Sequence, residues 1–125
     1  MSANTIFQTT YDNSKKILTG TVNVNSVCKE DSKVIFDLIV KGINENPSYN
    51  DYILDTRTVN DVKLESFGYL MKALGVVKKT AGYMILVIRE DILNKFMITN
   101  PEMFDYYAVF FNFEDAVTFI MSKRK

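Results

Sequence analysis

Three short runs of apolar residues constrain the fold of this chain more than any other feature. They are Tyr52–Leu54, Met84–Ile88 and Tyr106–Phe111. A strand that is apolar at every position is typical of a parallel sheet with both faces covered. Between the runs, apolar residues recur at three- and four-residue spacing, as in helices that pack on a core. This alternation predicts an α/β fold in which right-handed crossovers build a mostly parallel sheet.

An antiparallel hairpin is predicted before this alternating part. Its strands are Thr5–Tyr11 and Ile17–Val24, and the Asp12–Ser14 turn between them has side chains that bond to their own backbone. Leu18, Val22 and Val24 alternate with polar neighbours in the second strand, which is a strand pattern. Gly20 lies in the middle of that strand and predicts a bend or a bulge.

Four helices complete the predicted order β β α β α β α β α. Ser26 is the expected N-cap of the first helix, and Asn112 that of the last, with Asp115 completing a capping box. The helical stripes are Val34–Ile43, Leu64–Leu74, Ile92–Met97 and Phe113–Ile120. The acidic pairs Glu30-Asp31, Glu90-Asp91 and Glu114-Asp115 begin predicted helices, so they complement the helix dipole rather than act in acid–base chemistry. We expect residues 1–125 to form a single domain.

Composition excludes most kinds of chemistry. The chain has no histidine and one cysteine, Cys28, so Ser–His and Cys–His pairs, an ordinary zinc site and an internal disulfide are all ruled out. Fifteen basic residues balance fifteen acidic ones, whereas a nucleic-acid binder needs a basic surplus. No glycine-rich phosphate loop is present. We therefore expect no enzymatic activity, no cofactor and no nucleic-acid partner.

Hydropathy gives no indication of a membrane protein. Residues 1–16 lack the apolar run and the small-residue cleavage site of a signal peptide. The longest apolar run is Met84–Ile88 extended by Ala81, Gly82 and Tyr83, and it is far shorter than the ~20 residues that cross a bilayer. We therefore expect a cytoplasmic protein that does not insert into membranes.

Aromatic residues are unusually frequent, with nine phenylalanines and seven tyrosines. Many lie in Phe96–Phe113, where a strand without alternation is expected to bury most of them. The alternative is that some form an exposed apolar patch with Met97, Ile98 and Met103. Such a region could line a cavity for a small molecule or lipid, or it could join two copies of the chain as a homodimer.

Two segments of the sequence are similar to motifs of one known family. Ile53-Leu54-Asp55 has the form of a strand that ends in an acidic residue, and Glu65–Gly68 then has the form acidic-Ser-x-Gly at the start of a helix. Val109–Val117 has the form of a last strand and an acidic, alanine-containing helix start. These segments resemble the STAS domain family of sulfate transporters and anti-sigma factor antagonists. The resemblance implies a SpoIIAA-like fold with four to five strands, an N-terminal hairpin and about four helices.

The same resemblance implies a non-enzymatic, bacterial regulatory module. Its partner would be a protein, such as an anti-sigma factor or a related regulator. Phe67 occupies the position that the family's regulatory kinase phosphorylates, so the usual phosphoserine switch is expected to be absent. Ser66, beside it, is the alternative acceptor, because the amides of a helix N-terminus stabilise a phosphate.

Physical reasoning and the resemblance place the partner site in one region. In parallel sheets, ligands and partners meet the loops at the carboxyl ends of the strands. The alternative is that the polar residues of this region only cap a helix and bond to loop amides. The predicted site comprises Asp55, Thr56, Arg57, Thr58, Asn60, Asp61, Glu65, Ser66, Phe67 and Gly68.

Overall fold

The computed structural model describes residues 6–62, 72, 82–99 and 108–124. The strands within these residues are β1 (Phe7–Asp12), β2 (Ile17–Val22), β3 (Ser26–Val27), β4 (Asp51–Asp55), β5 (Asp61–Val62), β6 (Met84–Val87) and β7 (Ala108–Phe110). The helices are α1 (Lys29–Glu45), α2 (Glu90–Thr99) and α3 (Phe113–Lys123). None of the helices in this part of the chain is long and apolar enough to span a membrane.

Five strands form the main sheet in the order β1-β2-β4-β6-β7. The β1–β2 hairpin is antiparallel, and the remaining neighbours run parallel. The predicted mostly parallel sheet with an N-terminal hairpin is therefore confirmed. A second, two-stranded sheet pairs β3 with β5 and was not predicted, since strands of two residues leave no periodic pattern.

Apolar side chains cover both faces of the sheet. One cluster joins Phe7 and Leu18 of the hairpin to Ile35 and Ile39 of α1. The other joins the central strands to α3, where Ile120 is fully buried. Every residue of β4 and β6 is buried, as the uninterrupted apolar runs predict.

One expectation for β2, a bulge at Gly20, was wrong. Ile17 to Gly20 are all buried, because apolar clusters cover both faces of the strand: Leu18 packs in the cluster with α1 and Ile17 in the cluster with α3. The strand has no bulge, since its pairing with β1 is continuous through Gly20. Glycine is needed there for space: a Cβ atom would overlap the ring of Phe7 and the hydroxyl of Tyr52.

The helix starts also differ in part from the predictions. Ser26 lies in β3, and α1 begins after Cys28, whose side chain makes no capping hydrogen bond. Ser26 of β3 pairs with Asp61, and the helix starts only at Lys29, so the N-cap position falls on Cys28, two residues later. The Asn112 cap is confirmed, because its Oδ1 accepts the backbone N–H of Asp115 at 2.8 Å. The acidic pairs lie in the first turns of α1, α2 and α3, as predicted.

The aromatic segment is partly exposed where the structure describes it. Phe110 packs against Phe119 with ring centroids 5.3 Å apart, whereas Phe111 is 51% exposed. On α2, Met97 and Ile98 are exposed as well. The predicted second helical stripe, Leu64–Leu74, and the segment 100–107 lie outside the described residues, apart from the helical Lys72.

Candidate functional site

The candidate site lies at the carboxyl ends of β4 and β6, where Asp55 and Val87 are the last paired residues. The chain turns immediately after Asp55, and this turn is bonded to β6. Both the backbone N–H and the hydroxyl of Thr56 donate to the carbonyl oxygen of Val87, each at 2.8 Å. The backbone N–H of Val59 donates to the carbonyl of Thr56 at 3.0 Å, and the Val59 side chain is buried. These contacts give the 56–59 turn a defined shape.

The other end of the loop is bonded to the segment before β3. The backbone N–H groups of Asn60 and Asp61 both donate to the carbonyl of Asn25, at 2.6 and 3.1 Å. Asp61 then enters β5 and pairs with Ser26 of β3. The small second sheet therefore anchors the loop, which is why a loop of polar residues keeps one conformation.

The side chains of Asp55 and Arg57 form a two-point ion pair within the loop. Arg57 Nε donates to Asp55 Oδ1 at 3.0 Å, and Arg57 Nη2 donates to Asp55 Oδ2 at 2.7 Å. The backbone N–H of Arg57 also donates to Asp55 Oδ1, at 3.1 Å. Two-point contact of this kind fixes the plane of a guanidinium group. The Asp55 side chain is only 7% exposed, whereas that of Arg57 is 48% exposed, so the fixed guanidinium reaches solvent.

The charge of Arg57 is stabilised by its surroundings. The pKa of Arg57 is raised above its ordinary value, chiefly by the hydrogen bonds to Asp55 and further by the charges of Asp55 and Glu114, which outweigh its partial burial. Glu114 lies in the first turn of α3. The end of β4 and the start of α3 thus contribute to one electrostatic environment.

A second arginine occupies the equivalent place on the neighbouring strand. Arg89 follows Val87 by two positions, just as Arg57 follows Asp55. It donates to the Asn60 side-chain oxygen, and its Nη2 lies 2.8 Å from Asp91 Oδ2. Sequence analysis did not include Arg89, Asp91 or Glu114 in the predicted partner site. The rule that partners meet the carboxyl ends of parallel strands was applied only to β4, and its application to β6 and β7 would have included them.

The predicted residues divide into three groups in the structure. Asp55 accepts the loop amide of Arg57, as the alternative interpretation of this loop expects, whereas the Thr56 hydroxyl donates to the Val87 carbonyl of β6. Arg57, Thr58 and Asn60 are exposed, and Asp61 is half-buried in β5. Glu65, Ser66, Phe67 and Gly68 lie outside the described residues.

The chemistry that this surface offers is hydrogen bonding. It presents guanidinium, hydroxyl and carboxamide groups on an anchored loop, and such fixed polar groups provide orientation and specificity at an interface. No group of three or more histidine, cysteine, aspartate or glutamate residues suited to a metal ion exists among the residues that the structure describes.

Comparison with known proteins identifies the fold. No protein-family model matches the chain, and no curated protein matches its sequence. Among solved structures, it is similar to the anti-sigma factor antagonist SpoIIAA in its unphosphorylated form, with a TM-score of 0.62 and 12% sequence identity. The match covers 90% of this chain and 94% of that one. The STAS-type fold implied by the Asp55–Gly68 motif is thereby confirmed: the chain has the fold of the anti-sigma factor antagonist SpoIIAA.

Proposed function

We propose that this protein is a non-enzymatic regulatory module that binds a protein partner through the loop after β4. The partner is an anti-sigma factor or a regulator of related type. The module acts in the cytoplasm as a single domain of residues 1–125. The observation that carries the proposal is the anchored 55–60 loop, which holds Arg57 in a fixed orientation at the carboxyl-end edge of a SpoIIAA-like sheet.

Three features of the loop suit it to docking. Its backbone is bonded to β6 and to the segment before β3, so little conformational entropy is lost on binding. The Asp55 carboxylate fixes the Arg57 side chain, and a pre-oriented arginine is a frequent anchor at protein interfaces. Thr58 and Asn60 are exposed beside it and can exchange hydrogen bonds with a partner.

The absence of histidine supports a non-enzymatic role, because the commonest general base is missing. Phe67 has no hydroxyl to accept a phosphate, so we propose that the module works without the usual phosphoserine switch. Intact-mass measurement of the protein isolated from its own cells, before and after phosphatase treatment, tests this point. A phosphate located on Ser66 would contradict it.

The docking proposal is tested with two substitutions of the same type at different places. Thr58→Arg puts a bulky charged side chain on the proposed surface. Thr118→Arg makes the same change at an exposed position of α3. Partners are captured from a lysate of the native cells and identified by mass spectrometry. The affinity of each purified partner for the original protein and both variants is then measured by calorimetry.

We expect an anti-sigma-type regulator among the captured proteins, bound about tenfold or more weakly by Thr58→Arg, as when an interface anchor is disrupted. Thr118→Arg should bind within about twofold of the original protein, as a surface substitution outside the interface does. The proposal fails if no such regulator is captured, or if Thr58→Arg binds it as well as Thr118→Arg does.

A further inference from the structure

The outer edge of the sheet at β1 has free hydrogen-bonding groups. The backbone N–H of Asn23 donates to the carbonyl of Ile6 at 2.8 Å, in register with the β1–β2 pairing. Inward and outward backbone groups alternate along an antiparallel strand. The N–H and C=O groups of Phe7, Thr9 and Tyr11 therefore point away from β2, and in the described part of the chain no strand pairs with them.

Within the described residues, this edge lacks the features that usually protect an edge strand against pairing. Natural edge strands carry proline, lysine or a bulge, or they are very short. β1 has six residues in continuous register with β2, and Phe7–Tyr11 contains no charged residue and no proline. The other edge strand in the described residues, β7, has only three residues.

We propose that β1 pairs antiparallel with β1 of a second copy of this chain, across a twofold axis at Thr9. In this register, Thr9 exchanges backbone hydrogen bonds with its own counterpart. Phe7 pairs with Tyr11 of the second copy, and Tyr11 with Phe7 of that copy. All the outward backbone groups of the strand are then satisfied, and two five-stranded sheets join into one.

The surroundings of β1 are complementary to themselves under this twofold axis. An open groove of about 400 Å³ lies between β1 and α1. Phe7 and Leu38 contribute to its lining, and Tyr11 of the second copy would stand beside Phe7 at its mouth. On the opposite face of the sheet, Gln8 of one copy would lie beside Thr10 of the other, and the two side chains could share hydrogen bonds.

Charge on α1 fits the same arrangement. Gly42 packs directly on Thr9, since a Cβ atom at Gly42 would lie 3.0 Å from Thr9 Cγ2. A twofold axis at Thr9 therefore brings the two α1 helices together antiparallel near Gly42. Lys41 and Glu45, which both line the groove, would then face Glu45 and Lys41 of the second copy. This complementarity identifies a second copy as the occupant.

The oligomeric state of the full chain tests the proposal. Sedimentation velocity over a range of protein concentrations should show a monomer–dimer equilibrium. Thr9→Pro removes an N–H that points away from β2, a place where an edge strand tolerates proline. This variant should keep the circular dichroism spectrum of the fold and sediment as a monomer.

Charge exchange on α1 provides a second test that leaves β1 intact. Position 41 of each copy faces position 45 of the other, so the dimer has two equivalent contacts of this kind. Lys41→Glu makes both contacts acidic against acidic, and Glu45→Lys makes both basic against basic. Each substitution should therefore raise the dimer dissociation constant by about tenfold. The double exchange restores opposite charges and should recover the original value. A monomer at the highest soluble concentration would overturn the proposal. So would a dimer that resists all these changes but dissociates with Phe111→Ser, because the interface would then be the aromatic patch. None of these outcomes depends on partner binding by the 55–60 loop.

Discussion

Replacing Gly20 with alanine should destabilise the fold by about 1–2 kcal/mol, although alanine is normally the better residue in ordered structure. The backbone at Gly20 does not have a positive φ, so alanine meets no conformational barrier. The obstacle is space: the new Cβ would lie within 3.0 Å of both the Phe7 ring and the Tyr52 hydroxyl. Both side chains are at most 2% exposed and have little room to move.

The magnitude follows from two opposing contributions. Overpacking a buried site costs about 1–3 kcal/mol. Replacing glycine also restricts the unfolded chain, which stabilises the fold by about 0.4–1 kcal/mol, so mid-range values of the two contributions leave a net destabilisation of about 1–2 kcal/mol. Urea titration followed by circular dichroism gives the free energy of unfolding, and a shift of the midpoint at constant slope identifies the change as one of stability.

A second-site substitution makes the test specific. Phe7→Leu removes part of the ring that the new methyl group would meet, so Gly20→Ala should cost less in that background than alone. Gly42→Ala is the matched control: the atoms nearest to its Cβ belong to the Thr9 side chain, the closest at 3.0 Å, and the helix gains propensity. The reasoning is refuted if Gly20→Ala raises the stability, or if Phe7→Leu leaves its cost unchanged.

Three further predictions concern single residues. Asn112→Ala should cost about 1 kcal/mol of unfolding free energy because α3 loses its cap, whereas Asn112→Ser should cost much less, and equal losses in urea titration would contradict this. Arg124→Ala should cost about 1–3 kcal/mol, because it removes a charged donor from the Asp51 carboxylate, which is 2% exposed, and an unchanged urea midpoint would show that the carboxylate is satisfied without it. Cys28 should react with a thiol reagent at pH 8 more slowly than a free cysteine: the backbone N–H of Asp31 favours the thiolate, but the Asp31 and Glu30 carboxylates outweigh it and raise the pKa of the thiol. Asp31→Asn should therefore speed the reaction, and a slower or equal rate would contradict the assignment.

The main architecture could be read from local patterns. β4 and β6 are buried on both faces, and a strand in that environment is usually a near-continuous apolar run, which is the pattern of Tyr52–Leu54 and Met84–Ile88. The Asn112 cap was equally predictable, because its side chain bonds to a backbone amide only three residues away. Interactions of this short range leave a signal in the sequence itself.

The errors and omissions have a common cause. Ser26 has the side chain of a good N-cap, but pairing with Asp61, far along the chain, keeps it in a strand. Arg89 follows the end of β6, but its contact with Asn60, 29 residues away, leaves no local signal in the sequence. The loop site as a whole depends on the adjacency of β4 and β6, and their order in the sheet cannot be read from either strand alone.

The sequence alone determined the class of fold and the kinds of chemistry that are excluded, because apolar periodicity and the absence of histidine are local or compositional properties. The tertiary structure decided which polar residues meet. It bonded the loop after Asp55 to β6 and to the segment before β3, set Arg89 beside the same loop, and left the outer edge of β1 without a partner strand among the described residues. These features depend on distances between segments remote in the chain. Such distances are determined only when the whole core packs.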